Sequence, residues 1–319
     1  MRRTLSCLLL CLAAPLALAQ AWPTKPIRLI VAFPPGGVTD VASRLTADYL
    51  ARRLGQPIVI DNRPGATGTI GTAAVAAAEP DGYTLLGAFD GTMVVAPHLA
   101  QKPAFDTLKD FAHIGKIGDA ALIFVAHPSA PVKTLADLIT VSKSRPGGLS
   151  YGTTGIGGTT HIGAEILKQR TGANLVHVPY KGGAQATADV VAGNIPMIYT
   201  SVAAAVPFVR SGKIHPIAVT GLKRSGSLPE VPTIAESGVP GFDVASWVGL
   251  MAPAKTPRPV LERLNLELNA VLADPELREK LATAGITATP GSAAEFTAYI
   301  ERALKSYGEA IRAAGIKAE

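Results

Sequence analysis

The chain has 319 residues, 48% of them hydrophobic and 17% charged, with a formal net charge of +6. That apolar content excludes an intrinsically disordered chain, and at ~150 residues per domain the length suggests two domains. Glycine (32) and proline (25) are scattered without a collagen period, and the basic residues are interspersed with acids, so no nucleic-acid-binding stripe forms.

Residues 1–21 read as a secretory signal. Met1-Arg2-Arg3 is a charged start, Leu5 to Leu18 is almost wholly apolar, and Ala17-Leu18-Ala19 and Ala19-Gln20-Ala21 both fit small-x-small cleavage. An N-terminal anchor and a lipidated cysteine are the weaker alternatives, because the run falls short of a ~20-residue span. Cys7 and Cys11, the two cysteines, both lie in this segment, so the mature chain has no disulfide, cysteine nucleophile or thiolate metal site. Losing Arg2 and Arg3 takes Lys+Arg from 30 to 28 against 24 acids, which leaves +4.

Past the signal, strand-like and helix-like stretches alternate as in parallel α/β sheets. Ile27 to Phe33 is a β-branched run broken by Pro34-Pro35-Gly36-Gly37, and a helical pattern runs from Asp40 to Leu54 with Gly55 placed to end it. Ile58-Val59-Ile60 reads as a strand, Thr69 to Ala78 as a helix and Tyr83 to Phe89 as a strand. Further strands are expected over Leu122–Ala126, Leu149–Thr153, Leu175–Val178, Ile195–Thr200 and Ile214–Val219, with helices over Thr160–Gln169 and Ala184–Ala192. Thr134 and Asp137 form a capping box, as do Ser292 and Glu295 before a long last helix, and the chain is mostly helical from Pro257.

Catalytic signatures are missing. There is no G-x-S-x-G elbow, no phosphate loop and no H-E-x-x-H, and His161 with Glu165 supplies only two potential ligands, so neither cofactor nor metal is expected. His161 reads as a capping or packing residue. What stands out is a set of glycine-rich turns between strands and helices: Phe33 to Asp40, Asp61 to Gly71, Tyr151 to Thr160, and Pro179-Tyr180-Lys181-Gly182-Gly183. Helix-opening N–H groups lack intrahelical partners and lie at a positive dipole end, so such turns suit a carboxylate. Each alone also fits an ordinary βα turn: Thr39 or Asp40 would cap the first, Arg63 would pair with Asp61 in the second, and Lys181 would be a solvated surface residue. Asp40 would repel a bare carboxylate, so its side chain should be occupied in capping. Asp90 ends a strand at the edge where α/β sheets hold ligands, and Trp247 suits core or hinge packing as well as ligand stacking.

The segments WPTKPIRLIVAFPPGGVTD, DNRPGATGTIG, EPDGYTLL, VPYKGGAQATADVVAGNIPM, LPEVPTIAESGVPGF and ASWVGLMAPAKTP, in order after an export signal, closely resemble the Bug (TctC-like) family, the periplasmic solute-binding proteins of tripartite tricarboxylate transporters. The resemblance implies a two-lobed type II periplasmic-binding-protein fold. Each lobe would be a mostly parallel sheet flanked by helices, with residues 22–121 plus 246–319 in one lobe and 122–245 in the other. It implies a monomer that binds a small organic carboxylate between the lobes and delivers it to membrane components. Carried over, the ligand would meet Phe33, Pro35, Gly36, Gly37 and Val38, then Ala66, Thr67 and Asp90, and in the second lobe Thr154, Gly155, Gly158, Thr159, Thr160, Lys181, Thr200 and Ser201. Thr200-Ser201 stands where relatives often carry an aspartate, which argues against an amino-acid ligand. Val38, Phe89 and Tyr199 should make the pocket apolar, as for an aromatic dicarboxylate such as terephthalate. The alternatives are a periplasmic sensor with a citrate-like or other aliphatic ligand and, with less support, a small secreted hydrolase.

Overall fold

A computed structural model describes residues 22–153, 155–180 and 183–316, so the expected signal, Thr154 and Lys181 lie outside the described residues. The chain opens with β1 (Ile27–Val31), α1 (Val38–Leu54), β2 (Ile58–Asn62), a 3-10 turn (Ala66–Gly68), α2 (Thr69–Ala76) and β3 (Thr84–Phe89). A π-helical turn (Gly91–Val95) then runs into α3 (Ala96–Leu99) and β4 (Phe111–Ala120). Next come β5 (Leu122–Ala126), α4 (Leu135–Ser144), β6 (Leu149–Thr153), α5 (Thr159–Thr171), β7 (Leu175–Pro179), α6 (Gly183–Ala192), β8 (Met197–Ser201), α7 (Val202–Arg210) and β9 (His215–Val219). The last part holds β10 (Ser246–Pro253), α8 (Arg258–Leu272), α9 (Pro275–Thr283), β11 (Ile286–Ala288) and α10 (Ala293–Ala313).

These strands form two sheets, ordered β11-β4-β10-β3-β1-β2 and β7-β6-β8-β5-β9. The expected parallel character is confined to β3-β1-β2 and to β7-β6-β8, where helices return the chain to start each strand afresh. Elsewhere the pairing is antiparallel, so both sheets are mixed rather than mostly parallel. The cause is the two sheet-to-sheet crossings. The chain passes from β4 to β5 through Ala121 and returns through β10, whose Ser246 pairs with Ala120, and the two entering strands, β5 and β10, run against the βα-built ones.

Local chemistry sets the element ends. Gly55 takes the left-handed conformation (φ 71°) that closes α1, while Thr134 and Ser292 accept the N–H groups of Asp137 and Glu295 in the two expected capping boxes. The first helix starts two residues before Asp40, with Gly37 rather than Thr39 or Asp40 at its N-cap. Central β1 is apolar because β2 and β3 flank it and all its residues but Arg28 are buried. One buried cluster runs across both sheets, joining Phe124, Tyr151 and Tyr199 to Met93, Trp247 and Phe296. Helix α10 ties it together by packing on α5 of the second sheet as well as on β4 and the π-helical turn. Trp247 is thus core, its ring set edge-on to Phe296 at 5.2 Å between centroids.

Candidate ligand-binding site

A cavity of about 950 Å³ opens where the two sheets face each other. Five helix beginnings contribute to its wall: Val38 of α1, Thr69 of α2, Thr159 and Thr160 of α5, Gly183 of α6, and Ala203 and Ala204 of α7. Gly37 and Gly158, the N-caps of α1 and α5, bring no side-chain cap of their own. The first N–H groups of those helices have no intrahelical partner and carry the positive end of the dipole. Phe89, Gly91, Val95 and Leu99 also line it, and Ala120, Leu122 and Ser246 come from the crossing strands. Among the described residues, none that lines the cavity carries a formal charge. The arrangement can hold an anion on backbone dipoles while offering apolar contact to its body.

The first glycine-rich turn reaches the cavity through Val38. Pro35, Gly36 and Gly37 form the exposed approach to it, and Phe33 packs edge-on against Phe89 at 5.1 Å instead of joining the lining. Asp40 is occupied, though not as the cap of α1, because Gly37 holds the N-cap without a side-chain bond. Its carboxylate accepts from Gly36 N–H (2.9 Å), Arg44 Nε (2.9 Å) and Asn62 Nδ2 (2.8 Å). Burial opposes its charge, but the bonds from Arg44, Asn62 and Gly36 outweigh burial and hold the carboxyl below its usual range.

The second turn contains the strained backbone. Ala66 (φ 45°) and Thr67 (φ 54°) both take left-handed conformations between Gly65 and Gly68, which costs about 1–3 kcal/mol per non-glycine residue. Thr92 Oγ1 donates to Thr67 O at 2.8 Å and pins this loop, so Ala66 and Thr67 stay in the wall. Arg63 does pair with Asp61, at 2.9 Å.

In the third turn Gly155, Gly158, Thr159 and Thr160 line the cavity, as do Thr200 and Ser201 at the end of β8. Ser201 also caps α7 by accepting from Ala204 N–H at 3.3 Å. Behind the turn, His161 stacks on His177 with centroids 3.7 Å apart, and His161 Nδ1 accepts from Gly157 N–H at 3.1 Å. His161 therefore packs and ties down its own helix start. Burial pushes both imidazoles down to about 4, with Lys168 adding to it at both and His161 at His177, so the pair is neutral near pH 7.

Two expectations change. Tyr199 does not reach the pocket: it is buried and stacks on Phe124 at 4.1 Å, because it projects from β8 toward α5, where a Cβ on Gly163 would lie 2.9 Å from its hydroxyl. Asp90 lies beneath the lining, fully buried, with its neighbours Phe89 and Gly91 in the wall. Its carboxylate accepts from Ser246 Oγ (2.8 Å), Trp247 N–H (3.3 Å), Gly91 N–H and Thr159 Oγ1. Burial pushes this carboxyl up to about 6 against the pull of those bonds. Sequence reasoning missed the contributions of Leu99, Ser246, Ala284 and Gly285. Only Ser246 carried a signal, since it marked the return to the first lobe.

Known proteins can now be set beside this geometry. Residues 42–316 match the family model TctC, the tripartite tricarboxylate transporter family receptor. Protein BugT of Bordetella pertussis is 34% identical over 307 residues, covering 96% of this chain and 94% of BugT. An R. palustris protein solved with adipate, Rpa4515, superposes with a TM-score of 0.77 at 34% identity, covering 93% of this chain and 99% of that one. MatC from Rhodopseudomonas palustris, solved with bound malate, gives 0.73 at 29% identity over 91% and 99% of the two chains. BugD, solved as a periplasmic binding protein, superposes with a TM-score of 0.73 at 32% identity over 93% and 100% of the two chains. The chain belongs to the TctC family of tripartite tricarboxylate transporter receptors, the Bug-type periplasmic solute-binding proteins.

Proposed function

We propose that the mature chain captures an organic carboxylate with an apolar or aromatic body in this cavity and offers the closed, liganded form to the membrane components of a tripartite transporter. The observation that carries the reading is an uncharged, largely apolar cavity with five helix starts in its wall. Backbone dipoles supply the attraction for the anion, and Val38, Phe89, Val95 and Leu99 accommodate the rest. The adipate and malate with which the two R. palustris proteins were solved support the carboxylate class. An aromatic dicarboxylate such as terephthalate is one ligand of the proposed shape, and the walls described so far leave its second polar group open.

The same reading divides the chain into lobes of 22–121 plus 246–319 and of 122–245, monomeric and exported to the periplasm by residues 1–21. The sheet membership of the strands supports that division. Closure is a hinge motion about the two crossings. Titration calorimetry with benzoate, terephthalate, adipate, malate, citrate and glutamate tests the ligand class. Heat from acids with an apolar body is expected. Tight binding of citrate or glutamate without heat from any apolar acid would sink the apolar-body part, and silence from every acid would sink the carboxylate part.

A further inference from the structure

Asp90 is an enclosed carboxylate at the seam of the molecule, attached to β3 of the first sheet. It accepts hydrogen bonds from Ser246 on β10 and from Thr159 at the start of α5, which follows β6 of the second sheet. An ionised carboxylate only accepts, and the two hydroxyls with the N–H groups of Trp247 and Gly91 saturate it. Among the described residues no cation pairs with it.

A hydroxyl has a single proton. Those of Thr159 and Ser246 are both directed inward to Asp90, although both residues line the cavity. Toward a ligand these two side chains therefore offer lone pairs only, with a negative charge directly behind them. We propose that Asp90 is a specificity-determining residue that turns this part of the cavity floor into a hydrogen-bond acceptor, so that the ligand group resting there is a hydroxyl or amine rather than a second carboxylate. The inference rests on the carboxylate-receptor reading and defines the polar group which that reading left open. The carboxylate itself stays with the helix-start N–H groups.

Matched acids on one skeleton test it: 4-(hydroxymethyl)benzoate against terephthalate, and 6-hydroxyhexanoate against adipate, titrated calorimetrically into the mature protein at about pH 7.5. The hydroxy acid should bind about tenfold or more tightly than its dicarboxylate partner. In Asp90→Asn the amide donates toward Thr159 or Ser246 and frees a hydroxyl proton for the cavity, so the ratio should move at least about tenfold toward the dicarboxylate. Thr159→Val, which removes one acceptor but keeps the shape, should shrink the preference. Wild type alone supplies a further arm with the aromatic pair. Lowering the pH to about 5.5, beneath the Asp90 value of about 6, should move the ratio the same way as Asp90→Asn. Among the described residues, the titratable groups on which the Asp90 charge acts are Tyr199 on β8 and Tyr299 and Tyr307 on α10, all raised by burial and uncharged throughout.

A wild-type preference for the dicarboxylate, or a ratio unchanged by both Asp90→Asn and pH, would overturn the inference while leaving the receptor reading intact. If Asp90→Asn fails to unfold cooperatively, the wild-type pH arm decides. Binding of none of the four acids would remove the apolar-body part of the receptor reading, and the inference with it.

Discussion

Gly68 shows how tightly single residues are specified around the cavity. Its φ of 88° suits glycine, and an added Cβ would lie 2.5 Å from Thr92 Oγ1 and 2.9 Å from Phe33 Cζ. Gly68→Ala therefore combines backbone strain with a clash, and denaturant unfolding should show a loss of about 2–4 kcal/mol. The stacked histidines make a separate prediction. Their values fall from the ordinary 6.5 to about 4, so between those limits the unfolded chain binds protons that the folded chain does not. Stability should fall as pH drops through that window, and His177→Gln should flatten the slope; a slope unchanged by the substitution would contradict the assignment. Asp90 has the opposite sign, because its folded value lies above its unfolded one, and its contribution declines as pH rises from 3.8 to about 6. The occupation of Asp40 and the Arg63–Asp61 pair were legible in the sequence because Gly36 and Arg44 lie within four residues of Asp40 and Arg63 within two of Asp61, whereas the bond from Asn62, 22 residues on, was not. The burial of Asp90 was not, since two of its donors come from Thr159 and Ser246, 69 and 156 residues away.

Elements read well wherever their signals were local. Both capping boxes formed, and the strands at Leu122–Ala126 and Leu149–Thr153 have their expected bounds. Strands β4 and β10 escaped notice. Gly115 and Gly118 interrupt β4, and each lies where Cβ would meet a neighbour, Leu268 Cδ2 at 2.9 Å and Thr287 O at 2.6 Å. Those glycines weaken the strand pattern in sequence and permit close packing in the fold. Strand β10 is buried along its whole length, so it shows no alternation of apolar and polar residues. Its Trp247, wedged between β10 and α10 against Phe296 and Tyr299, holds the helix that bridges both sheets. Trp247→Ala should cost about 3–5 kcal/mol in chemical denaturation, the range for emptying a large aromatic site. A cost under about 1 kcal/mol would mean that α10 does not depend on this contact.

Across the whole molecule, the two sheets approach each other on both sides of the cavity. A Cβ on Gly157 would lie 2.6 Å from Leu99 Cδ1, and one on Gly285 would lie 2.4 Å from the Cβ of Ala203 at the start of α7. Gly285→Ala should thus wedge the two halves apart and weaken ligand binding by about tenfold or more. Gly212→Ala is the control, with a similar left-handed φ of 69° and open space around it, and it should cost backbone strain alone. Equal affinities for the two variants would show that the Gly285–Ala203 approach does not govern closure. None of this meeting of distant glycines and alanines could be read from local pattern, whereas the glycine-rich turns that build much of the wall could. On the proposed function, helix starts in the cavity hold the carboxylate. Backbone amide shifts, followed by NMR during titration with whichever organic acid binds most tightly, test it most directly. Val38, Thr67, Gly158 to Thr160 and Val202 to Ala204 should shift together and saturate at one stoichiometric site. Shifts that spare these amides and gather elsewhere, for instance at the surface hollow lined by His127, Lys133 and His215, would contradict the account.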